Sequence, residues 1–274
     1  MTRALTTTGK YVSLVVASVV TLLPLVLVLF GSFKTGQEFL ATNPFTPPES
    51  WGNVANYATA FTRGGMLRGF ANTVVVFVAA ITGTILVGAA TAYALDRFRF
   101  RGRSAVLGLF LLATLVPGVT TQVATFQIVN GLGLYNSRWA LILLFTGTDI
   151  VSIYIFLQFV RAIPRSLDEA ATLDGAGHLR IFFRIILPNL KPAIATVVII
   201  KGIGIYNEFF LPFLYLPDPD LRPISTALFA FKGPFGSQWE VISAGVVITI
   251  VPILVLFLLL QRYVYNGFTS GATK

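Results

Sequence analysis

Long apolar runs separated by short polar segments dominate this chain of 274 residues. A run of about 20 apolar residues crosses a bilayer as a helix, because lipid cannot satisfy a bare backbone N–H or C=O group. The pattern therefore predicts an all-α polytopic membrane protein with six transmembrane helices. The predicted spans are roughly 11–31, 70–95, 104–129, 138–160, 191–214 and 241–263.

Three of these runs carry features that refine the prediction. Span 1 is expected to be an anchored helix, because its apolar core is longer than the 7–15 residues of a signal-peptide core and no A-x-A site follows it. Span 2 is rich in glycine, alanine and threonine, which favours close packing against another helix. In span 3, Pro117 predicts a kink, because proline lacks the N–H that the helix needs.

Composition agrees with a membrane protein and excludes several kinds of site. The chain is 55% hydrophobic and 11% charged, whereas a soluble domain carries about 25% charged residues. With no cysteine, disulfides, thiolate metal sites and a cysteine nucleophile are excluded. His178 is the single histidine of the sequence, so a histidine-rich metal site is excluded too.

The formal charge of +9 follows the predicted topology rather than indicating a nucleic-acid partner. If both termini are cytoplasmic, six basic residues lie outside (Lys34, Arg63, Arg68, Arg138, Arg222 and Lys232) and Lys201 lies within a span. The inside segments then hold Arg3, Lys10, Arg97, Arg99, Arg101, Arg103, Arg161, Arg165, Arg180, Arg184, Lys191, Arg262 and Lys274. This excess of basic residues inside is the usual bias of membrane proteins. The basic turn 96–103 is interpreted as a topology anchor.

A polar-to-amphipathic segment lies between spans 4 and 5. Ser166-Leu167-Asp168-Glu169 has the pattern of a capping box, which predicts a short helix from about Leu167 that ends at Gly175 and Gly177. Residues 179–187 then place apolar side chains on one side and two arginines on the other, which favours a helix along the membrane surface. The apolar side is Ile181, Phe182, Ile185 and Ile186, and the arginines are Arg180 and Arg184.

The spacing E-A-A-x3-G-x9-I-x-L-P in this segment resembles the signature loop of the permeases of binding-protein-dependent ABC importers. The residues that carry it are Glu169, Ala170, Ala171, Gly175, Ile185, Leu187 and Pro188. Weaker likenesses are Asn72-Thr73, the run 132–136, Tyr206-Asn207-Glu208 and the tail Gly267–Lys274. They resemble the shorter permease of the maltose-type carbohydrate importers.

This resemblance implies a division into residues 1–69, with span 1 and the first extracytoplasmic segment, and a permease core at 70–274. The core holds spans 2–6, a cytoplasmic coupling loop at 161–190 and the tail 264–274. The implied partners are a second homologous permease, two ATPase subunits, an extracytoplasmic solute-binding protein, membrane lipid and a carbohydrate. The implied location is a prokaryotic plasma membrane.

The resemblance also implies that the loop docks on an ATPase. The docking residues are then Glu169, Ala170, Ala171, Asp174 and Gly175, and the tail is a second contact. The sequence contains no G-x-x-x-x-G-K-[ST] phosphate loop, so ATP with its magnesium ion is expected on the partner ATPase. We therefore expect no cofactor in this chain and no catalysis by it. The sequence leaves the carbohydrate open.

Ionisable residues inside a bilayer are costly and mark functional or structural sites. Asp149 and Lys201 lie near the middle of spans 4 and 5, and they either form a structural ion pair or line the translocation path. The other candidates for the path are Thr121, Gln122, Asn207 and Glu208.

Two other functions remain as alternatives. A secondary transporter driven by an ion gradient would use Asp149, Lys201 and Glu208 as a relay. A membrane-embedded enzyme lacks the histidine, cysteine or clustered acidic residues that such chemistry needs.

Overall fold

The computed structural model describes residues 2–147, 149–233 and 236–272. The predicted contacts of the tail Gly267–Lys274 lie outside the residues whose side chains are described. In the described part the chain is helical apart from two short antiparallel strands, β1 (Lys232–Gly233) and β2 (Gly236–Ser237). The expectation of a mainly α-helical protein is confirmed.

The helices follow one another along the chain, some separated by tight turns. They are α1 (Thr2–Phe33), α2 (Gly36–Ala41), α3 (Ala55–Arg63), α4 (Met66–Arg97), α5 (Arg103–Thr114), α6 (Gln122–Gly131), α7 (Arg138–Thr146), α8 (Ile150–Ala162), α9 (Ser166–Leu173), α10 (His178–Ile181), α11 (Leu187–Asn189), α12 (Lys191–Asn207), α13 (Phe210–Tyr215), α14 (Ile224–Ala227) and α15 (Trp239–Ala272). Three 3₁₀ turns (Gly118–Thr121, Pro219–Leu221 and Leu228–Phe231) and a π turn (Phe182–Ile186) complete the chain.

The chain folds as two compact units. One comprises Met1–Gly69 with Thr226–Leu259, and the other comprises Phe70–Ser225 with Leu260–Lys274. In the first unit Thr35 and Glu38 form a capping box at the start of α2, each side chain accepting from the other's backbone N–H. The second unit contains the features that bear on function.

Among the residues whose side chains are described, two helical segments are by themselves long and apolar enough to cross a membrane, Thr7–Phe33 and Met66–Arg97. Three further candidates are bent pairs of helices. The described part of α15 adds the apolar stretch Trp239–Val255. Each of the six predicted runs coincides with helix, while the count of six spans stays a prediction.

Two of the predicted spans are interrupted, and in a third the helix ends before the predicted end of the span. In the run 104–129, α5 ends at Thr114, and the pair Arg103–Thr114 and Gly118–Gly131 is bent by 94°. Pro117 sits at this break with an extended backbone, so the predicted kink is confirmed as a full interruption. The pair Arg138–Thr146 and Ile150–Ala162 is bent by 45°, and α12 ends at Asn207, before the predicted end of span 5.

Small residues let α4 pack closely on α7 and α8, as the sequence predicted. A Cβ atom built on Gly83 would lie 2.6 Å from the side chain of Thr146, and one on Gly88 would lie 3.1 Å from the ring of Phe156. The hydroxyl of Thr84 donates to the carbonyl of Phe145 over 3.3 Å. Packing of this kind is what holds helices together where lipid removes the hydrophobic driving force.

Candidate functional site

The helix α9 carries the Glu-Ala-Ala residues and ends in a left-handed turn. Gly175 has φ +78°, a conformation that glycine adopts without a Cβ penalty. The N–H of Ala176 bonds the carbonyl of Ala171 over 2.9 Å, and the N–H of Gly175 bonds that of Thr172 over 3.0 Å. This is a Schellman motif, and it confirms that Gly175 terminates the helix, whose last residue is Leu173.

The predicted capping box at the start of α9 was wrong. Ser166 is already the first helical residue, and the residue before it, Arg165, makes no side-chain cap. The N–H groups of Leu167 and Asp168 instead bond the carbonyls of Pro164 (3.3 Å) and Arg165 (3.0 Å). Because the backbone satisfies these donors one turn earlier, the carboxylate of Glu169 is not needed as a cap and stays exposed.

The predicted docking residues lie largely on an open surface. Glu169, Ala170, Asp174 and Gly175 are exposed, whereas Ala171 is half-buried against the helix core. Sequence reasoning missed Leu173, whose side chain is 89% exposed beside them. This surface therefore presents one apolar side chain, Leu173, beside the carboxylates of Glu169 and Asp174.

A cluster of charged side chains connects the start of α9 to the end of α4. We call it the Asp96 cluster: Asp96, Arg97, Arg103, Arg161, Arg165 and Asp168. The carboxylate of Asp96 is 7% exposed and has four arginines around it, Arg97 at 2.7 Å, Arg165 at 3.6 Å, Arg161 at 3.7 Å and Arg103 at 3.9 Å. The sequence interpretation of this turn as a topology anchor missed the cluster.

Arg97 lies at the centre of these contacts, with its side chain 8% exposed. Its Nε pairs with Asp168 Oδ2 on α9, and its Nη1 with Asp96 Oδ2 at 2.7 Å. Its Nη2 donates to the carbonyl of Ile163 over 2.8 Å, just after α8. One guanidinium therefore links α4, α8 and α9. The sequence signal that could have found it is a carboxylate next to an arginine at the end of an apolar run.

The segment after α9 has the amphipathic pattern that the sequence predicted. Ile181, Phe182 and Ile186 are buried, Ile185 is half-buried, and Arg180 and Arg184 are exposed. The buried stripe continues through Leu190, just before α12, and through Ala193 and Val197 of α12, all in one core cluster with α4 and α8. The surface that carries α9 is thereby anchored on the helix core.

Asp149 and Lys201 are brought together across α8 and α12. Lys201 Nζ lies 3.3 Å from Asp149 Oδ2, with side chains 24% and 14% exposed. Asp149 also caps α8, since its carboxylate accepts from the backbone N–H of Ser152 over 3.5 Å, and it accepts from the hydroxyl of Ser152 over 2.9 Å. The ion pair between the two predicted intramembrane charges is therefore present.

The contacts described for the other four candidates for the path are local and do not connect them to Asp149 or Lys201. Glu208 lies just after α12, and its carboxylate accepts from the N–H groups of Phe210 (2.9 Å) and Leu211 (3.1 Å) at the start of α13. Asn207 is exposed. The hydroxyl of Thr121 donates to the carbonyl of Gly118 over 3.0 Å. Among the described residues, Gln122 Oε1 is buried without a hydrogen-bond partner.

At its other end α4 is held by neutral side chains, which we call the Asn72 latch. The amide of Asn72 is buried and donates to the carbonyls of Asp220 (2.9 Å) and Arg222 (3.0 Å). The hydroxyl of Thr73 accepts from the N–H of Ile224 over 2.9 Å. Asn72-Thr73 therefore fixes the chain at 220–224, a role that the sequence did not reveal.

Comparison with known proteins now decides the family. Residues 84–269 match the family described as "Binding-protein-dependent transport system inner membrane component". The chain belongs to this family. The match contains α9, the Asp96 cluster and the pair Asp149–Lys201, so all three lie in the part that defines a binding-protein-dependent permease.

Relatives cover almost the whole permease. It is 33% identical to the diacetylchitobiose uptake system permease protein NgcG of Streptomyces coelicolor, over 95% of this chain and 87% of that protein. It is 31% identical to the galactooligosaccharides transport system permease protein GanQ of Bacillus subtilis, over 97% of this chain and 94% of that protein.

A solved structure shares the fold of the permease. It is described as a bacterial ABC transporter involved in the import of the acidic polysaccharide alginate, and a chain of it superposes with a TM-score of 0.83. The alignment covers 96% of this chain and 98% of that chain, at 20% sequence identity.

Proposed function

We propose that this permease is the carbohydrate-conducting half of an ATP-driven ABC importer of the maltose type, paired with a second homologous permease. In this proposal α1, α4, the bent pairs α5–α6 and α7–α8, then α12 with α13, and finally α15 form six spans. Both termini are cytoplasmic, which is supported by the excess of basic residues on the side that carries α9. The protein resides in a prokaryotic plasma membrane.

The proposed cargo is a carbohydrate delivered by an extracytoplasmic solute-binding protein. The support is that relatives at about one third identity are permeases for diacetylchitobiose and galactooligosaccharides. The binding protein selects the sugar and the permeases conduct it. We assign Thr121, Gln122, Asn207 and Glu208 to the path, because hydroxyl, amide and carboxylate groups bind sugar hydroxyls.

The proposed role of the pair Asp149–Lys201 is structural. A carboxylate and an ammonium group 3.3 Å apart neutralise each other, which lowers the cost of keeping either within a span. Asp149 is at the same time the cap of α8. The pair therefore locks α8 to α12 rather than relaying protons, and the family assignment also weighs against a secondary transporter.

The proposed source of energy for transport is a pair of ATPase subunits that bind ATP and magnesium and dock on α9. The observation that carries this role is the open face formed by Glu169, Ala170, Asp174 and Gly175, with Leu173 projecting beside it. Closure of the ATPases displaces α9, the helices tilt, and the path opens to the binding protein. Hydrolysis reverses the movement.

The docking role is tested with Glu169→Lys combined with Ala170→Leu, in the complete importer reconstituted in proteoliposomes. Both side chains are exposed, so the permease should insert normally, while the added charge and bulk block docking. We expect solute-stimulated ATP hydrolysis to fall at least tenfold. Arg180→Gln, an exposed change on the neighbouring helix α10, serves as the matched control.

Two results would contradict the proposed function. One is unchanged stimulation in the Glu169→Lys, Ala170→Leu variant. The other is uptake that needs no ATPase and is abolished by an uncoupler, which is the behaviour of a secondary transporter.

A further inference from the structure

We infer that the ion pair Arg97–Asp168 is the tie through which movement of α9 is transmitted to α4. Arg97 and Asp168 are positioning residues in this inference and make no contact with the ATPase. The inference rests on the proposed function, since it assumes that an ATPase moves α9. It adds the route by which the movement reaches the membrane helices.

The position of Asp168 on α9 is the first argument. Consecutive residues of an α-helix are about 100° apart around its axis. Glu169 is exposed, whereas Asp168 is 16% exposed and faces Arg97 of α4. The same helical turn therefore presents one carboxylate to a partner and the other to a membrane-spanning helix, so that a push on one side is felt on the other.

The geometry of Arg97 is the second argument. Its Nη1 and Nη2 donate hydrogen bonds to Asp96 of α4 itself and to the carbonyl of Ile163 after α8, and its Nε lies within ion-pair distance of Asp168 Oδ2 of α9 without forming a hydrogen bond. A guanidinium is planar and presents its donors in a fixed fork, so the two hydrogen bonds set its orientation and hold its charge beside Asp168. Lysine has the same charge on a single nitrogen and would hold the three elements far less rigidly.

The third argument is that the apolar contacts of α9 with the helix core are weak. From residue 166 to residue 176, the apolar side chains packed against the core cluster are Ala171 and Ala176. An alanine buries little apolar surface, and the hydrophobic free energy scales with that surface. Transmission of movement from α9 therefore depends on its charged contact with α4, the pair Arg97–Asp168, whose side chains are 8% and 16% exposed.

The first test removes the charge of the Asp168 side chain and keeps its size and shape. In Asp168→Asn we expect the ATPases to co-purify with the permeases as in wild type, because the exposed docking face is untouched. We expect solute-stimulated ATP hydrolysis and uptake to fall at least tenfold. Arg97→Lys should behave in the same way although it keeps the charge. Arg101→Gln, an exposed arginine of the same turn, is the matched control and should keep full stimulation.

A covalent tie provides the second test. The chain contains no cysteine, so Arg97→Cys with Asp168→Cys introduces the only thiols of this subunit. The double variant should be uncoupled as prepared, and a bifunctional maleimide that joins the two positions should restore stimulation to at least half of wild type. Each single cysteine variant treated in the same way should stay uncoupled. A merely structural loss would not be reversed by a cross-link.

The outcomes separate this inference from the proposed function. Full stimulation in Asp168→Asn would overturn the inference, and so would loss of ATPase co-purification, because Asp168 would then belong to the docking face. A cross-linked double variant that remains uncoupled would overturn it as well. If the Glu169→Lys, Ala170→Leu variant keeps stimulation, it is the proposed function that fails.

Discussion

The two ends of α4 are held by opposite kinds of chemistry. Near its start, the Asn72 latch uses an amide and a hydroxyl to bind backbone groups at 220–224. At its end, the Asp96 cluster uses carboxylates and arginines to bind mainly other side chains. The 24 residues between Asn72 and Asp96 separate the two attachments by about 36 Å along the helix.

The difference teaches how one rigid helix can be fixed at one end and driven at the other. Amide–carbonyl hydrogen bonds are short-range and directional, so the latch sets one position for the chain it holds. Charges attract over longer distances, so the four arginines surround Asp96 at separations from 2.7 to 3.9 Å. In the inference above, the charged end of α4 is the end that follows α9, and the neutral end is the one that stays in place.

The largest effect is expected from removing the charge of Asp96, the buried carboxylate that four arginines surround in the Asp96 cluster. In Asp96→Asn the six groups of the cluster change from four arginines against two carboxylates to four against one. Since removing one partner of a buried ion pair costs about 3–5 kcal/mol, we expect a reduction in stability of about 3 kcal/mol. Thermal unfolding of the purified permease measures it.

Asp174→Asn, the same change at an exposed carboxylate just after α9, is the control for stability. Equal melting temperatures for Asp96→Asn and Asp174→Asn would show that the charged end of α4 is no stronger than any surface carboxylate, and the comparison of the two ends would be broken.

A smaller effect is expected at the neutral end. Asn72→Ala removes the hydrogen bonds to the carbonyls of Asp220 and Arg222, and each such bond contributes about 0.5–1.5 kcal/mol. We expect the backbone N–H of Ile224 to exchange with solvent at least tenfold faster, because the latch that holds it is opened. Amide hydrogen exchange measures this directly.

The exposed Asn207, changed to alanine, should leave exchange at Ile224 as it is. The effect of Asn72→Ala should also be the same at low and high salt, since no net charge takes part. If the change in exchange at Ile224 depended strongly on salt, charged groups would contribute to the Asn72 latch. The contrast with the Asp96 cluster would then be contradicted.

The smallest effect is expected at Arg161, on the exposed edge of the Asp96 cluster. The side chain of Arg161 is 51% exposed and lies 3.7 Å from Asp96, so its contact is screened by water and ions. Arg161→Gln should reduce stability by about 0.5 kcal/mol or less, and the reduction should vanish in high salt. A loss of stability as large as that in Asp96→Asn would show that the exposed arginines of the Asp96 cluster contribute as much as its buried carboxylate.

The sequence predicted the parts of this molecule that depend on neighbours in the chain. The six apolar runs coincide with helices, and Pro117 interrupts one of them. The end of α9 at Gly175 was predicted because a left-handed turn after a helix needs a residue without Cβ. The start of α9 was predicted wrongly, because the choice between a side-chain cap and a backbone carbonyl one turn earlier depends on how the chain enters the helix at Pro164.

For the candidate site, the sequence indicated the exposed residues and the ion pair Asp149–Lys201. This pair was one of two alternatives, because two opposite charges in adjacent spans can either stabilise each other or line the path. Asp96, Arg97 and Asp168 were missed. Charged residues at the end of an apolar run usually face water, and nothing in the local pattern distinguishes one that is buried by residues 60 to 70 positions further along.

The sequence by itself determined that this protein is a helical membrane permease with an exposed Glu-Ala-Ala helix, because periodicity, turn chemistry and a spaced motif are properties of short stretches. Only the tertiary structure decided which charges meet at each end of α4. The physical reason is that an ion pair or a buried amide depends on a distance of a few ångströms between residues far apart in the chain, and folding alone sets that distance.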